Sequence, residues 1–193
     1  MLTISRIFED RIEEKKSTFI SALVPINEFD TLLSMLKKQH PKARHFVTAS
    51  RELNELDQII ESFSDDGEPK GTSGMPTLKV LAGNNLINTG IITIRYFGGT
   101  LLGTGGLVRA YSDVANKVIS TAELEPYIKL KKSVISIPFS LSSKAEYLAS
   151  NHNIAIIDRE FYQDGIRLHI EASAENIELF SSSLTSKMGI WLH

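Results

Sequence analysis

The chain has 193 residues, a formal net charge of −2 and 42% apolar residues. This length suits one large domain or two small ones, with enough apolar side chains to build packed cores. The absence of cysteine excludes disulfides, thiolate metal sites and a cysteine nucleophile. The near-neutral charge argues against tight nucleic-acid binding through bulk charge alone, although a local basic patch remains compatible with it.

The first elements read from the chain are a hairpin, a helix and a strand. Segments 4–12 and 17–24 alternate apolar and polar β-formers around a polar turn, which predicts a hairpin. A helix capped by Asn27 is predicted to run to Gln39. A short strand follows at 45–49, and the polar residues 50–58 are expected to form a loop.

Two unusual loops flank the most apolar segment. Ser64–Gly74 is a long polar loop, followed by a predicted helix over 76–82 that Thr72 or Ser73 would cap. Residues 90–97 predict a buried central strand. Gly98–Gly106 holds five glycines in nine residues, which predicts a tight loop rather than the interior of an element. A helix over 107–121 is expected to follow.

Glu125-Pro126 marks the predicted boundary between an N-terminal domain, 1–126, and a C-terminal domain, 127–193. The predicted elements of the C-terminal domain are strand 129–137, helix 141–151, strand 154–162, strand 166–172, helix 176–188 and strand 190–192. Asp164-Gly165 is a strong hairpin signal between its two middle strands. This β-α-β-β-α-β order is ferredoxin-like, so the fold class is α+β.

The glycine-rich loop Gly98–Gly106 leaves two interpretations open. It lacks the lysine of a P-loop and the third glycine of the dinucleotide fingerprint, so no nucleotide cofactor is expected. The loop runs from a strand into a helix, and amide groups at the helix start could bind an anion. Alternatively, the glycines serve only a tight turn that needs positive φ.

The polar loop places three carboxylates in four residues, at Asp65, Asp66 and Glu68. Oxygen ligands so close together could hold Mg²⁺, although the EF-hand spacing is not met, and the alternative is a solvated acidic turn. Lys70, Gly71 and the hydroxyl groups that follow stand at a predicted helix start, where they could bind an anion instead.

Two arginines need a partner. Arg95 lies near the end of the apolar strand, and Arg109 is expected in the first turn of the next helix, where a cation opposes the helix dipole. Each pairs either with the carboxylates of 65–68 or with a bound anion. Tyr96 and Phe97 flank the glycine loop, and one of them must face away from the core, which suits base stacking or a protein contact.

The five histidines form no pair with metal-ligand spacing, so we expect no metal site and no cofactor. His45, beside Arg44, could join the surface around the two loops. No Gly-x-Ser-x-Gly elbow occurs. No segment is apolar enough to span a bilayer and no secretory signal is evident, so we expect no membrane partner and a cytoplasmic location.

Segments 64–76 (SDDGEPKGTSGMP) and 94–111 (IRYFGGTLLGTGGLVRAY) together resemble the signature of the YigZ/Impact family, and 44–47 (RHFV) resembles its early strand. The resemblance covers the whole chain. It implies an N-terminal Impact-like domain similar to domain IV of elongation factor G, and a C-terminal domain similar to that factor's ferredoxin-like domains. One departure is Thr100, where the family commonly has lysine, and this weakens a phosphate-binding interpretation.

The resemblance also implies a link to translation, because eukaryotic relatives regulate translation by binding a ribosome-associated activator of a stress kinase. The leading hypothesis is a translation-linked regulatory binding protein that contacts RNA or a ribosome-associated protein through its N-terminal domain. One alternative is an enzyme acting on a small phosphorylated or acidic substrate, for which catalytic histidine, cysteine and lysine arrangements are missing. The other is an adaptor protein that binds no nucleic acid.

Segments 65–74 and 98–109 are both polar and glycine-rich, and we expect them to meet in one surface. The predicted binding residues are Arg44, His45, Asp65, Asp66, Glu68, Lys70, Gly71, Thr72, Arg95, Tyr96, Gly98, Gly99, Gly103, Gly105, Gly106 and Arg109.

Overall fold

The computed structural model describes residues 1–185, which form two compact units, Met1–Tyr127 and a second unit that begins at Ile128. The elements of the first unit are β1 (Leu2–Thr3), β2 (Phe8–Glu14), β3 (Ser17–Pro25), α1 (Phe29–Gln39), β4 (His45–Leu53), β5 (Ile59–Ser64), α2 (Gly74–Gly83), β6 (Thr89–Tyr96), α3 (Gly103–Ser120) and β7 (Glu125–Pro126). Mixed helices and sheets confirm the α+β class. No helix of the described residues is long and apolar enough to cross a membrane.

Five strands form an antiparallel sheet in the order β2-β3-β6-β4-β5. β6 lies at its centre, and seven of its eight residues are buried, which confirms the predicted central strand. Helix α1 covers one face of the sheet through Ile92 and Ile94 of β6, and α2 and α3 cover the other face. Since side chains alternate along a strand, Arg95 at the end of β6 faces the side of α3.

The predicted hairpin is confirmed, although its first strand begins at Phe8 rather than residue 4. Lys15 and Lys16 form its two-residue turn with φ of 47° and 65°, the left-handed backbone that such hairpin turns require. The predicted cap of α1 is wrong. Asn27 lies inside a 3₁₀ turn, Ile26–Glu28, and α1 begins after it without a side-chain cap hydrogen bond.

The predicted loop over 50–58 is also wrong at its start. β4 continues to Leu53 and pairs with β5, a strand that the sequence pattern did not reveal. Arg51 stays buried in β4 because its Nη1 donates to the Leu86 carbonyl and its Nε donates to Glu61, each at 2.8 Å. A charged side chain can occupy a buried strand position when its donors find acceptors in this way.

The second unit contains β8 (Leu130–Pro138), α4 (Ser142–Asn151), β9 (Ala155–Tyr162), β10 (Gly165–Ser173) and α5 (Ala174–Thr185). Its strands form an antiparallel sheet in the order β8-β10-β9, and Phe180 and Ile170 lie in its own apolar core. The predicted hairpin is present, with its turn at 163–164, because β10 begins at Gly165, one residue earlier than predicted. The predicted strand 190–192 lies outside the described residues. Glu125–Pro126, the predicted boundary, pairs with β1 in the first unit.

Candidate functional site

A cleft of about 640 Å³ opens in the first unit where four segments meet: the approach to β4, the loop before α2, the end of β6 and the start of α3. Six of the predicted binding residues line it, namely Arg44, His45, Glu68, Arg95, Tyr96 and Gly103. Glu68 and Gly103 belong to segments 65–74 and 98–109, so the structure brings these two segments together, as expected.

The floor of the cleft holds a buried ion pair. Arg95 Nη1 donates to both carboxylate oxygens of Glu68, at 2.7 and 2.9 Å. Their side chains are only 7% and 3% exposed. The hydroxyl of Tyr111, on α3, donates to the same carboxylate at 2.9 Å. One carboxylate therefore ties β6, α3 and the loop before α2 together.

Tyr111 is fixed as a hydrogen-bond donor in this cluster. Burial raises its pKa far above the ordinary value, and the negative charge of Glu68 raises it further, because both disfavour a phenolate. The Arg95 guanidinium lies 5.4 Å from the ring centroid of Phe19 and 5.6 Å from that of Phe97. Its Nε is buried and has no hydrogen-bond acceptor in the described part of the chain.

Ser73 occupies the N-cap position of α2, one of the two positions predicted, but its side chain makes no cap hydrogen bond. Asp65 caps the helix instead. Its carboxylate accepts hydrogen bonds from the N–H groups of Gly71, Ser73 and Gly74 at 2.7, 3.1 and 2.8 Å, and from the Ser73 hydroxyl at 2.7 Å. Burial acts to raise the pKa of Asp65, but these donors outweigh it and hold the pKa below its usual value. The Thr72 hydroxyl instead donates to the Pro69 carbonyl at 2.7 Å.

Asp66 joins the loop to β4. Its carboxylate accepts the N–H of Phe46 at 2.6 Å, and its carbonyl accepts a hydrogen bond from His45 Nδ1 at 2.8 Å. Asp65 accepts hydrogen bonds from the start of α2, and Glu68 accepts them from Arg95. Each of the three carboxylates therefore has its own protein partner. They do not converge as a magnesium site would require, and no cluster of metal-ligating side chains occurs among residues 1–185.

The prediction that Gly98–Gly106 forms a loop throughout is wrong, because α3 begins at Gly103 and includes the last three glycines. Gly99 and Gly103 have φ of +84° and +71°, a conformation that L side chains rarely adopt. Gly98 packs so closely on the hairpin turn that a Cβ atom would lie 1.9 Å from the carbonyl carbon of Lys16. The glycines therefore let the chain turn sharply beside the hairpin and start a helix.

Arg109 lies in the second turn of α3, because the helix starts four residues earlier than predicted. Its side chain is exposed and borders a separate cavity of about 300 Å³, together with Glu14, Lys15 and Asp113. It makes no ion pair with any side chain of the described residues. The structure thus places Arg109 and Arg95 in different cavities. The expected first-turn position of Arg109 is wrong, and Arg109 has no charged partner among the described residues.

The other predicted binding residues do not line the cleft. Lys70, Gly71, Gly99 and Gly105 are exposed, Thr72 is buried, and Gly98 and Gly106 are intermediate.

The sequence interpretation missed several lining residues: Lys42, Pro69, Leu101, Leu102, Thr104 and Leu107.

Of the two aromatic residues beside the glycine loop, Phe97 is the one that faces outward. It is 54% exposed, whereas the Tyr96 hydroxyl is hydrogen-bonded to His40 Nδ1 at 2.8 Å. Leu101 is 83% exposed and could have been predicted as a binding residue from the sequence. A large apolar side chain between loop glycines is unexpected in a purely structural turn.

Comparison with known proteins places the cleft inside a recognised domain. The family model described as the Impact N-terminal domain matches residues 15–119, a range that contains every lining residue. A Haemophilus influenzae protein named IMPACT family member is 36% identical over 186 residues, covering 94% of this chain and 88% of its own length. The Escherichia coli protein named IMPACT family member YigZ is 31% identical over 175 residues, covering 89% and 85%.

The fold has a solved counterpart. A crystal structure described as that of a hypothetical protein is 30% identical to this chain, with a TM-score of 0.72. The match covers 96% of this chain and 91% of the other.

Proposed function

The chain belongs to the Impact family, and on that premise we propose that it is a translation-linked regulatory binding protein. Its N-terminal unit contacts RNA or a ribosome-associated protein through the cleft. The link to translation rests on the family resemblance, as does the likeness to domain IV of elongation factor G. The observation that supports a binding role is a large cleft with a basic rim and exposed apolar side chains.

The charge of the cleft is opposite in sign to that of the chain. Its lining contains the cations Lys42, Arg44 and Arg95 and one carboxylate, Glu68, whereas the whole chain has a net charge of −2. Glu68 and Arg95 neutralise each other in the floor, which leaves Lys42 and Arg44 exposed at the rim. A concave surface with this field attracts anionic partners, such as phosphate groups or acidic side chains.

The lining favours binding over catalysis. Its carboxylate is held by Arg95 and Tyr111, and His45 uses Nδ1 as a donor to the Asp66 carbonyl. Within the described lining, no nucleophile stands in hydrogen-bond contact with a base, which is the arrangement that acid–base and nucleophilic catalysis require. Exposed Phe97 and Leu101 instead offer the apolar contact area typical of recognition surfaces.

The test is sedimentation with purified ribosomes and with total RNA, comparing wild type with the double variant Lys42→Ala/Arg44→Ala. Both side chains are exposed, so the variant should fold normally. We expect it to lose association, and the slope of log affinity against log salt to become shallower by about 0.7 for each lost contact to single-stranded RNA. The matched control is Lys131→Ala/Lys132→Ala, which removes two exposed cations from β8 in the second unit.

Nuclease treatment separates the two classes of partner. Association that disappears on RNase digestion indicates RNA, and association that survives it indicates a protein. The proposal is refuted if wild type does not associate with ribosomes or RNA, or if the rim variant associates as well as the control does. The second result would favour an adaptor that does not use this cleft.

A further inference from the structure

We propose that the cleft holds one unpaired nucleotide, with its base stacked on Phe97 and its phosphate at the start of α3. This inference rests on the proposed function and commits it to RNA. Three independent features of the lining support it: an exposed aromatic residue, a helix start without a capping side chain, and a buried donor without an acceptor.

Phe97 has the geometry of a stacking surface. Phe97 directly follows β6 and is 54% exposed as a residue. The Arg95 guanidinium, which Glu68 holds in place, lies 5.6 Å from the ring centroid. Bases stack on such rings without regard to sequence, because every base has a π-face. Paired bases are already stacked within a duplex, so Phe97 selects an unpaired one.

The start of α3 is suited to a phosphate. Leu102 precedes the helix without a side-chain cap hydrogen bond, and the first turn contains no acidic residue. The amide groups of the first turn therefore keep their partial positive charge. Gly103 and Thr104 border the cleft, and a Cβ atom at Gly103 would meet no atom within 4 Å, so an anion can approach this turn closely.

The unpartnered Nε of Arg95 is a second indication that the cleft takes a polar ligand. The residue is 6% exposed and forms part of the lining, yet this Nε has no acceptor among the described residues. Buried donors in native proteins are almost always paired. A ligand that brings oxygen acceptors to the floor of the cleft would complete the pairing, which a purely apolar ligand would not do.

The size of the cleft limits the ligand. About 640 Å³ falls in the range of small-molecule sites, which suits one nucleotide and its phosphate rather than a helical stem. An acidic peptide would satisfy the α3 amide groups but would make no particular use of the exposed ring of Phe97. That difference decides the choice of variants.

The experiment titrates wild type and variants with a labelled single-stranded RNA of about six nucleotides, followed by fluorescence anisotropy, with a stem of the same composition as competitor. Phe97→Leu keeps an apolar side chain but removes the ring, and should weaken binding roughly 5- to 150-fold, the effect of losing one stacked base. Phe139→Leu is the control, because Phe139 is 49% exposed in the second unit. It should bind like wild type.

Thr104→Glu probes the helix start and separates binding from folding, because Thr104 is exposed and borders the cleft in the first turn of α3. A carboxylate in the first turn favours the helix dipole, so the melting temperature should stay equal or rise. The same carboxylate occupies the phosphate position and should weaken binding by at least about tenfold, as expected for displacing a charge-assisted contact. Thr104→Gln is the uncharged control and should retain most of the affinity.

The outcomes distinguish failure of this inference from failure of the proposed function. Weaker binding of both Phe97→Leu and Thr104→Glu, with little competition by the stem, supports a nucleotide site. If single-stranded RNA binds but neither variant matters, or if the stem competes equally, the nucleotide site is refuted while an RNA contact stands. RNase-resistant association with ribosomes, without binding to short RNA, refutes it in favour of a protein partner. No association of either kind refutes both proposals.

Discussion

Replacing Glu68 by glutamine should destabilise the first unit more than most single substitutions would. The change keeps the size of the side chain and leaves an oxygen for the Tyr111 hydroxyl, but it removes the charge that balances Arg95. Both side chains are nearly inaccessible, at 3% and 7% exposure. Removing one partner of a buried ion pair leaves the other charge uncompensated, which costs about 3–5 kcal/mol. That is a large part of the roughly 5–15 kcal/mol that keeps a domain folded.

The measurement is urea denaturation at pH 7, followed by circular dichroism, with the change in free energy taken from the midpoint at constant slope. A double substitution tests the reason. Glu68→Leu/Arg95→Met removes both charges and leaves only the neutral Tyr111 hydroxyl without an acceptor. It should therefore cost less than Glu68→Gln, because apolar replacements of buried pairs are often nearly neutral, whereas an uncompensated buried charge is not. Tyr111→Phe removes one donor to the carboxylate and should cost about 1.5–3 kcal/mol.

Glu61→Gln is the matched control for Glu68→Gln. Glu61 accepts a hydrogen bond from Arg51 at 2.8 Å, but its side chain is 43% exposed. Solvent screens such a pair, so its loss should cost less than about 1 kcal/mol. If Glu68→Gln costs no more than this control, the ion pair in the floor is solvated and our description of the cleft is wrong.

Three further outcomes follow from the contacts described. Asp65→Ala should lower stability at pH 7 by about 0.5–2 kcal/mol through loss of the α2 cap. The folded-state pKa of Asp65 lies below its ordinary value of 3.8. Its contribution to the free energy of unfolding is therefore present above that value and is lost as pH falls through the folded-state pKa. Urea midpoints of wild type and Asp65→Ala should converge at that low pH. Arg109→Ala should change stability by no more than about 0.5 kcal/mol in the same assay, and a larger loss would reveal a partner. A fragment containing 128–193 should unfold in one cooperative thermal transition, since the described part of this unit has its own core, and a gradual transition would contradict that.

Sequence periodicity predicted the sheet best where burial is strongest. A continuous apolar run predicted β6, and period-2 alternation predicted the first hairpin. Both are present, although the first strand of the hairpin begins at Phe8. The sequence pattern did not predict β5, because an edge strand needs no apolar alternation, and all six of its residues are exposed. The start of α3 was predicted too late because glycine is a poor helix former in a helix interior. The first turn tolerates glycine better, since its N–H groups lack intrahelical partners in any case.

The site could be predicted only to the level of its segments. The signature stretches indicated that 65–74 and 98–109 belong to one surface, but side-chain assignments depend on three-dimensional directions. Alternation along β6 turns Arg95 toward α3, where Glu68 and Tyr111 meet it. Sequence spacing offered Asp65, Asp66 and Glu68 as equal partners. An error of four residues in the helix start was enough to misplace Arg109 by a full turn.

The acidic loop explains how a chain of net charge −2 can present a positive cleft. Asp65 is held by α2 amide groups, Asp66 by the Phe46 N–H, and Glu68 by Arg95. Each negative charge is thus balanced by donors inside the fold, and no carboxylate in the described lining is left unpaired. The field at the cleft then comes from the rim cations Lys42 and Arg44 and from the start of α3. Because the helix contributes a partial charge without a mobile side chain, the salt dependence of the proposed RNA binding should report mainly the two rim cations, even though the proposed phosphate position is at the start of α3.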